Sequence, residues 1–198
     1  MHSRHNDNEA SKAPSHCSVF IATSLDGFIA REDGSIDWLM QANARVPAGE
    51  DCGYAAHMSR IDALVMGRQT VEQVLGFDSW PYEERHHVYV LSRSLAALPP
   101  GTPASVSLHA GPPQALLAQA RERGHRSLYV DGGQTIQAFL AEDLIDELTI
   151  TTIPVLLGRG RPLFGPLGAR PEQWLQHVET RAYPFGFVQS RYRRTAER

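Results

Sequence analysis

Short apolar runs rich in strand-forming residues alternate with amphipathic helical segments along most of this chain, and this alternation limits the fold more than any other feature. Strands are predicted at CSVFIAT (17–23), DALVMG (62–67), HVYVLS (87–92), SVSLH (105–109), SLYV (127–130) and ELTITTIPVLLG (147–158). Helices are predicted at EDCGYAAHMSR (50–60), RQTVEQVL (68–75), PQALLAQARERG (113–124) and after Gly133, where Ile136, Phe139 and Leu140 form the apolar face. Such alternation favours a largely parallel sheet covered by helices on both faces.

The C-terminal third has a different character. The segment RGRPLFGPL (159–167) is an arm rich in Gly and Pro, and WLQHVETRAY (174–183) and FVQSRYRR (187–194) are joined across PFG as in a β-hairpin. A chain of 198 residues with 42% hydrophobic residues can bury one core. The sequence therefore predicts a disordered tail at 1–16 and one α/β domain at 17–198, with a mostly parallel central sheet and a C-terminal antiparallel hairpin.

Composition argues against several classes of function. A net charge of -3 gives no general attraction to nucleic acid or to an anionic membrane, and no apolar run has a membrane helix's roughly 20 residues. The polar N-terminus lacks the apolar region of a signal peptide, and Cys17 and Cys52 form no CxxC pattern, so we expect a cytoplasmic protein. The nine histidines include no HExxH or HxH pair, so no metal site is expected. Because Lys12 is the only lysine, a lysine-bearing P-loop is excluded.

Three predicted strands end in residues that suit a phosphate-bearing ligand. DALVM is followed by GRQT (67–70), HVYVL by Ser92 and Arg93, and SLYV by DGGQT (131–135). Two of these ends also begin helices, whose first amide groups have no internal partners and attract anions. Taken one at a time, the same residues are equally typical of turns, helix caps and solvated arginines. Their recurrence at three strand ends favours a ligand with several phosphates.

The kind of dinucleotide can be narrowed further. The GxGxxG fingerprint is absent, so an ordinary Rossmann domain is not expected. An acidic residue after a strand favours the free ribose hydroxyl of NAD, whereas an arginine favours the extra phosphate of NADP. The strand end at Ser92 and Arg93 has no carboxylate, so a nicotinamide dinucleotide bound here is predicted to be NADPH.

Five segments in register resemble the dihydrofolate-reductase-like superfamily, and within it most closely the riboflavin-biosynthesis reductase domain of the bifunctional deaminase-reductase. They are FIATSLDGFIAREDGSIDWL (20–39), DALVMGRQT (62–70), YVLSR (89–93), LYVDGGQTIQAFL (128–140) and LIDELTITTIPVLLGRGRPLF (144–164). The resemblance implies a single-domain dihydrofolate-reductase-like fold. It also implies an NADPH-dependent reductase acting on a pyrimidine, a pterin or a ribosylamine, of the 5-amino-6-(5-phosphoribosylamino)uracil reductase type.

The resemblance also implies roles for individual residues. The cofactor would be bound by Ala22, Thr23, Gly67, Arg68, Thr70, Ser92, Arg93, Gly132, Gly133, Gln134 and Thr135. A cis peptide is expected between Asp131 and Gly132. The substrate would be bound by Asp37, Trp38 and Thr151, with Asp37 as the catalytic proton source or substrate anchor. From the sequence alone, Asp37 is also typical of a helix cap and Trp38 of the core.

Other interpretations stay open. Dihydrofolate reductases carry a buried acid on the helix after the tryptophan that matches Trp38, and LMQANARVPAG (39–49) supplies none, which weakens a dihydrofolate or pteridine reductase assignment. A non-catalytic NADPH-binding module is a second alternative. Nucleic-acid binding through SRYRRTAER (190–198) is a third, although alternation in a hairpin favours a solvated face. Apolar side chains on IPVLLGRGRPLF (153–164) predict a homodimer, and riboflavin-type reductases pair through this part of the sheet.

Overall fold

The computed structural model describes residues 15–168 and 172–195. The predicted disordered tail lies outside the described residues as far as residue 14, and the first strand begins at His16, one residue before the predicted start of the domain. The described elements in chain order are β1 (His16–Ser24), β2 (Phe28–Ala30), α1 (Asp37–Asn43), α2 (Tyr54–Met58), β3 (Ala63–Gly67), α3 (Arg68–Leu75), β4 (His87–Leu91), β5 (Val106–His109), α4 (Pro113–Glu122), β6 (Ser127–Asp131), α5 (Gly133–Ala141), β7 (Glu147–Ile153), β8 (Arg161–Pro162), β9 (Leu175–Ala182) and β10 (Val188–Arg194).

Within the described ranges, eight strands form one sheet in the order β5-β4-β3-β6-β1-β7-β10-β9. Neighbouring strands from β5 to β7 are parallel, and β10 is antiparallel to both β7 and β9. The short strands β2 and β8 pair separately. The predicted α/β fold, with its mostly parallel sheet and C-terminal antiparallel hairpin, is confirmed.

The sequences of the central strands are unbroken apolar runs because helices cover both faces of the sheet. Val65 and Met66, adjacent on β3, are both completely buried but point to opposite faces. Val65 packs in a core with Phe139 of α5 and with residues of α4. Met66 packs in a second core with Val71 of α3 and with residues of α2. These two layers hold the carboxyl ends of the parallel strands in fixed positions.

Two segments differ from the sequence prediction. The strand predicted at 147–158 ends at Ile153, because Pro154 has no backbone N–H to donate to a strand ladder. Residues 28–30, where no strand is predicted, form β2, which pairs with β8 inside the predicted Gly/Pro-rich arm. The segment after β1 is therefore not a continuous loop. The arm folds back onto this segment and builds one wall of the site described below.

The arginines of the C-terminal hairpin are engaged with carboxylates. Arg191 and Arg193 lie 3.6 and 3.2 Å from the buried carboxylate of Glu147, and Arg194 lies 2.7 Å from Asp146. The fourth arginine of SRYRRTAER, Arg198, lies outside the described residues. In the part of the chain that the structure describes, no helix is long and apolar enough to cross a membrane.

Candidate functional site

A cleft opens where the parallel strands β1 and β6 separate. Residues 16–18 of β1 pair with residues 127–129 of β6, and beyond that point β6 follows β3 while β1 follows β7. The cleft at these carboxyl ends has a volume of about 1460 Å³. Open α/β sheets bind ligands in such crevices, and this one exceeds the roughly 300–1,000 Å³ of common small-molecule pockets. It has room for an extended ligand together with a second molecule.

Two helices begin side by side in this cleft, because they follow the neighbouring strands β3 and β6. The residue before α3 is Gly67 and the residue before α5 is Gly132. Neither helix start has a side-chain cap, and neither first turn contains an acidic residue. The free amide groups and the positive ends of two helix dipoles therefore converge on one place, an arrangement that suits phosphate groups.

Glycine and threonine pack the two helix starts together. A Cβ atom on Gly67 would lie 3.0 Å from the hydroxyl oxygen of Thr135, and a Cβ atom on Gly132 would overlap the hydroxyl of Thr70. Gly132 also has a φ of 88°, and a residue with a Cβ atom adopts this backbone angle only with strain. Each threonine fills the space that the glycine of the other helix start leaves empty.

The prediction of a cis peptide between Asp131 and Gly132 is wrong, since the described residues contain no cis peptide bond. The chain makes the turn through the positive φ of Gly132, which a residue without a Cβ atom adopts readily. The amide of Gly132 donates a hydrogen bond of 2.8 Å to Oδ1 of Asp131. This bond fixes the carboxyl group beside the start of α5.

All predicted cofactor-binding residues except Thr23 line the cleft. They are Ala22, Gly67, Arg68, Thr70, Ser92, Arg93, Gly132, Gly133, Gln134 and Thr135. Thr23 is buried and contributes to a separate pocket of about 260 Å³ between β1, β7 and β10, because successive strand residues point to opposite faces. The structure thus gathers residues from four strand ends, and their binding of a cofactor stays a prediction.

The two predicted phosphate-binding arginines are exposed at the cleft. Arg68 lies 3.5 Å from Glu72 one turn along α3, and such surface pairs hold a side chain weakly. The hydroxyl of Ser92 accepts hydrogen bonds from the amides of Ser94 and Leu95 at 3.3 and 3.2 Å. Ser92 therefore shapes the turn after β4 that presents Arg93.

Sequence analysis missed a third arginine of the cleft, Arg161. Its Nη1 atom donates to Oε1 of Gln69 at 2.5 Å, and its Nε atom donates to the carbonyl of Glu32 at 3.2 Å. The guanidinium also packs against Gly34. Arg161 thereby ties the wall formed by β2 and β8 to the first turn of α3. Its segment carries no strand or helix signal, and the pairing of β8 with β2 brings it to the cleft.

Asp131 is the second residue of the cleft whose importance the sequence did not reveal. Burial raises its pKa to about 6, and the hydrogen bond from Gly132 offsets only part of this effect. Burial and the nearby carboxylate both raise the pKa of Tyr54 and of Tyr82. A carboxyl group that titrates near pH 6 beside a cleft is a candidate proton source.

Two residues before Asp131 on β6, the side chain of Tyr129 bridges the split between β1 and β6. The hydroxyl of Tyr129 donates a hydrogen bond of 2.8 Å to the carbonyl of Phe20. The ring of His57 lies beneath, with centroid distances of 5.1 Å to Phe20 and 5.0 Å to Tyr129. Burial lowers the pKa of His57 to about 4, so this layer is aromatic and uncharged at neutral pH.

Asp37 lies outside the set of residues that line the cleft. It is the first residue of α1, after the N-cap residue Ile36. Its carboxylate accepts two hydrogen bonds from Arg31, at 2.6 and 3.0 Å. These bonds lower its pKa, which disfavours proton donation. A role of Asp37 in substrate binding or catalysis stays a prediction.

Trp38 and Thr151 are also placed away from the cleft lining. Trp38 is 4% exposed and packs with Tyr183 and Phe187 between α1 and the hairpin, as its core interpretation predicts. Thr151 is buried on β7 opposite Ala22, and its hydroxyl accepts a hydrogen bond of 2.9 Å from Gln189. Substrate contacts by either residue stay predictions. Among residues 15–168 and 172–195, no cluster of three or more His, Cys, Asp or Glu side chains could hold a metal ion.

Comparison with other proteins agrees with this fold. The chain is 38% identical over 152 residues to the uncharacterized protein YwjB of Bacillus subtilis, covering 75% of this chain and 82% of that protein. It is 42% identical to a crystal structure from Shewanella sp. PV-4 that is provisionally assigned to riboflavin biosynthesis, with a TM-score of 0.83 over 91% of this chain and 99% of that one.

A more distant structure shows the same fold. The deaminase/5-amino-6-(5-phosphoribosylamino)uracil reductase of Thermotoga maritima matches with a TM-score of 0.65 and 18% identity over 92% of this chain and 57% of that one. The sequence model of the RibD C-terminal domain family matches residues 16–188. The chain therefore belongs to the RibD C-terminal domain family and has its dihydrofolate-reductase-like fold.

Proposed function

We propose that the chain is an NADPH-dependent reductase that reduces a pyrimidine-type, pterin-type or ribosylamine substrate, as riboflavin-biosynthesis reductases do. One observation carries this proposal. Two uncapped helix starts, at Gly67 and Gly132, meet in one cleft that also presents Arg68 and Arg93. Glycines that let a ligand approach the backbone, free amides and exposed guanidinium groups together fit a dinucleotide with three phosphates.

The fit favours NADPH over NADH. The turn after β4 offers Arg93 and no carboxylate to bind a free ribose hydroxyl. Because Thr70 packs against Gly132, this position has no room for a Cβ atom. The glycine leaves the backbone at the start of α5 accessible to a ligand. These features support a site for a ligand that carries an additional phosphate.

In the proposed reaction, bound NADPH supplies a hydride to an electrophilic carbon of the substrate. The residues of the chain position the reactants and exclude water. Hydride transfer to the carbon of a C=N bond leaves a negative charge on the nitrogen. This nitrogen must then take up a proton. Asp131 supports this step best, since its raised pKa leaves it partly protonated near pH 6. The bidentate pair of Asp37 with Arg31 favours a role in ordering the loop before α1.

Measurements of NADPH oxidation with different substrates distinguish two alternatives from this proposal. A dihydrofolate or pteridine reductase would oxidise NADPH with pterins but not with ribosylaminopyrimidines. A non-catalytic module would bind NADPH without oxidising it in the presence of any of these compounds. No observation in the cleft favours either alternative.

The test is a screen of NADPH oxidation, followed by absorbance, against ribosylaminopyrimidines and reduced or oxidised pterins. The proposal expects protein-dependent turnover with at least one ribosylaminopyrimidine, whereas turnover with pterins alone would support the dihydrofolate or pteridine reductase. Tight NADPH binding without turnover on any of them would support the non-catalytic module.

Because the two cysteines are free thiols, the form that a reducing compartment maintains, we place this activity in the cytoplasm.

A further inference from the structure

The wall formed by β2 and β8 touches both of the helix starts in the cleft. Arg161 of β8 donates from Nη1 to the side chain of Gln69, in the first turn of α3, at 2.5 Å. The carbonyl oxygen of Pro162 lies 3.5 Å from the position of a Cβ atom on Gly133, the first residue of α5. Gln137, one turn farther along α5, donates to the same carbonyl at 3.1 Å. The wall therefore holds Arg161 where the starts of α3 and α5 meet.

The guanidinium group of Arg161 has no anionic partner among the described residues. Its two hydrogen bonds go to neutral oxygens, the side-chain amide of Gln69 and the backbone carbonyl of Glu32. The carboxylate of Glu32 lies 3.5 Å from Nε of Arg159 instead. In the described ranges, Nη2 of Arg161 is bonded to no acceptor. The cleft thus contains a positive charge that the carboxylates of these residues leave unpaired.

Two glycines let the wall close tightly around this side chain. Gly34 has a φ of 94°, and a Cβ atom there would lie 3.0 Å from Nη1 of Arg161. Gly160, the residue before Arg161, lies against the carbonyl of Ala30, which a Cβ atom would overlap. Close packing of this kind holds the guanidinium in place, and a group that is already ordered loses little entropy when a ligand binds.

Arg161 and Arg93 reach the start of α3 from different sides. Arg93 follows β4, which lies on one side of β3 in the sheet. The wall that carries Arg161 includes β2, the continuation of β1, and β1 lies on the other side of β3. Arg93 is the proposed partner of the additional phosphate of NADPH. Arg161 is therefore free for a different phosphate, one held between the two helix starts.

We propose that Arg161 binds the pyrophosphate of the dinucleotide and completes, from the side of the wall, the anion site that the two helix starts form. A phosphate oxygen forms stronger, charge-assisted hydrogen bonds with a guanidinium group than the neutral oxygens of Gln69 and Glu32 do. Nucleotide binding then gives Arg161 the anionic partner that the described residues do not supply. This inference rests on the proposed function and adds a binding residue to its site.

The experiment is calorimetric titration of the full-length protein and its variants with NADPH and with NADH. Arg161→Ala is expected to weaken the binding of both nucleotides by a similar factor, about tenfold or more, because both carry the pyrophosphate. Arg159→Ala is the matched control, since Arg159 is in the same segment, has a side chain that is 82% exposed, and is paired with Glu32. It should leave both affinities unchanged.

Three results overturn the inference. The first is an Arg161→Ala protein that binds both nucleotides as tightly as the wild type. The second is a loss confined to NADPH, since Arg161 would then bind the additional phosphate. The third is an equal loss in Arg159→Ala, which would show a general effect of charge.

Two further variants separate phosphate binding from support of the wall. Gln69→Ala removes the acceptor that joins Arg161 to α3 but keeps the guanidinium group, and we expect it to retain most of the nucleotide affinity. Arg161→Gln keeps hydrogen-bond donors but loses the charge, and it should bind nucleotide as weakly as Arg161→Ala. Urea unfolding of each variant checks its folding. Equal losses in Gln69→Ala and Arg161→Ala overturn the inference, because Arg161 would then act only through its contact with Gln69.

The failure of this inference is distinguishable from the failure of the proposed function. A wild-type protein that binds neither nucleotide contradicts both. A wild-type protein that binds NADPH, together with an Arg161→Ala protein of the same affinity, overturns the inference and leaves the proposed function intact.

Discussion

The hydroxyl of Thr70, in the first turn of α3, occupies the space that a Cβ atom on Gly132 would need. The contact joins two residues that are 62 positions apart in sequence, because β3 and β6 are neighbours in the sheet. It explains in physical terms why glycine stands where β6 turns into α5. It also makes the geometry of the two helix starts sensitive to a single methyl group.

Gly132→Ala is expected to lower the free energy of unfolding by roughly 2–4 kcal/mol, since it combines strain at positive φ with overlap in a packed contact. Gly101→Ala is the matched control, because Gly101 also has a positive φ, 81°, but has open space around its Cβ position. It should cost about 1 kcal/mol. Urea unfolding measures both. Equal losses for the two variants would show that the contact with Thr70 contributes nothing.

Arg93→Ala is expected to weaken NADPH binding about ten- to a hundredfold, since a charge-assisted phosphate contact contributes roughly 1.5–3 kcal/mol. NADH affinity should change far less. Arg45→Ala, at an exposed arginine outside the cleft lining, is the control and should change neither affinity. Calorimetry on the three proteins checks this, and a parallel loss of NADH affinity would assign Arg93 a structural role.

Asp131→Asn and Asp37→Asn separate the two candidate proton sources. Because a general acid must be protonated and burial raises the pKa of Asp131 to about 6, turnover should fall as the pH rises through about 6. Asp131→Asn should lower turnover about a hundredfold or more and remove this pH dependence, without lowering NADPH affinity. Turnover and its pH profile, measured with a substrate found in the screen, provide the test. A hundredfold loss in Asp37→Asn with none in Asp131→Asn would reverse the assignment.

His57 predicts a pH dependence of stability. Burial lowers its pKa from 6.5 to about 4, so the unfolded chain takes up a proton at a higher pH than the folded protein does. The stability from neutral His57 is present above about pH 6.5 and is lost as the pH falls toward 4, by at most about 1.4 kcal/mol per pH unit. His57→Phe should flatten this part of the curve in urea unfolding between pH 7 and 5. An unchanged slope would contradict the role given to His57.

The homodimer predicted from the sequence remains a proposal, and the structure identifies where to test it. Leu156 and Phe164, in the segment between β7 and β9, are 69% and 50% exposed, and large exposed apolar side chains favour association. Light scattering at micromolar concentration should show a dimer for the wild type. Leu156→Glu combined with Phe164→Glu should give a monomer. A monomeric wild type would contradict the proposal.

The fold could be predicted because its signals are local. Each parallel strand is an apolar run bounded by turn residues. Val65 and Met66 are both apolar because both faces of the sheet are buried. Gly132, Arg68 and Arg93 were predictable as neighbours in one cleft because strand ends and helix starts can be recognised from adjacent positions in the sequence.

Features that depend on distant contacts could not be predicted in this way. Arg161 reaches the cleft through the pairing of β8 with β2, and Asp131 acquires its raised pKa from burial. Trp38 and Thr151 are likewise buried by the hairpin, whose packing against α1 and β7 has no local signal.

The central claim is that the cleft between the starts of α3 and α5 binds NADPH. The most direct measurement is calorimetric titration of the wild-type protein with NADPH and with NADH under identical salt conditions. The account predicts binding of one NADPH per chain, at least tenfold tighter than NADH. Equal affinity for the two nucleotides, or no binding of either, would contradict it.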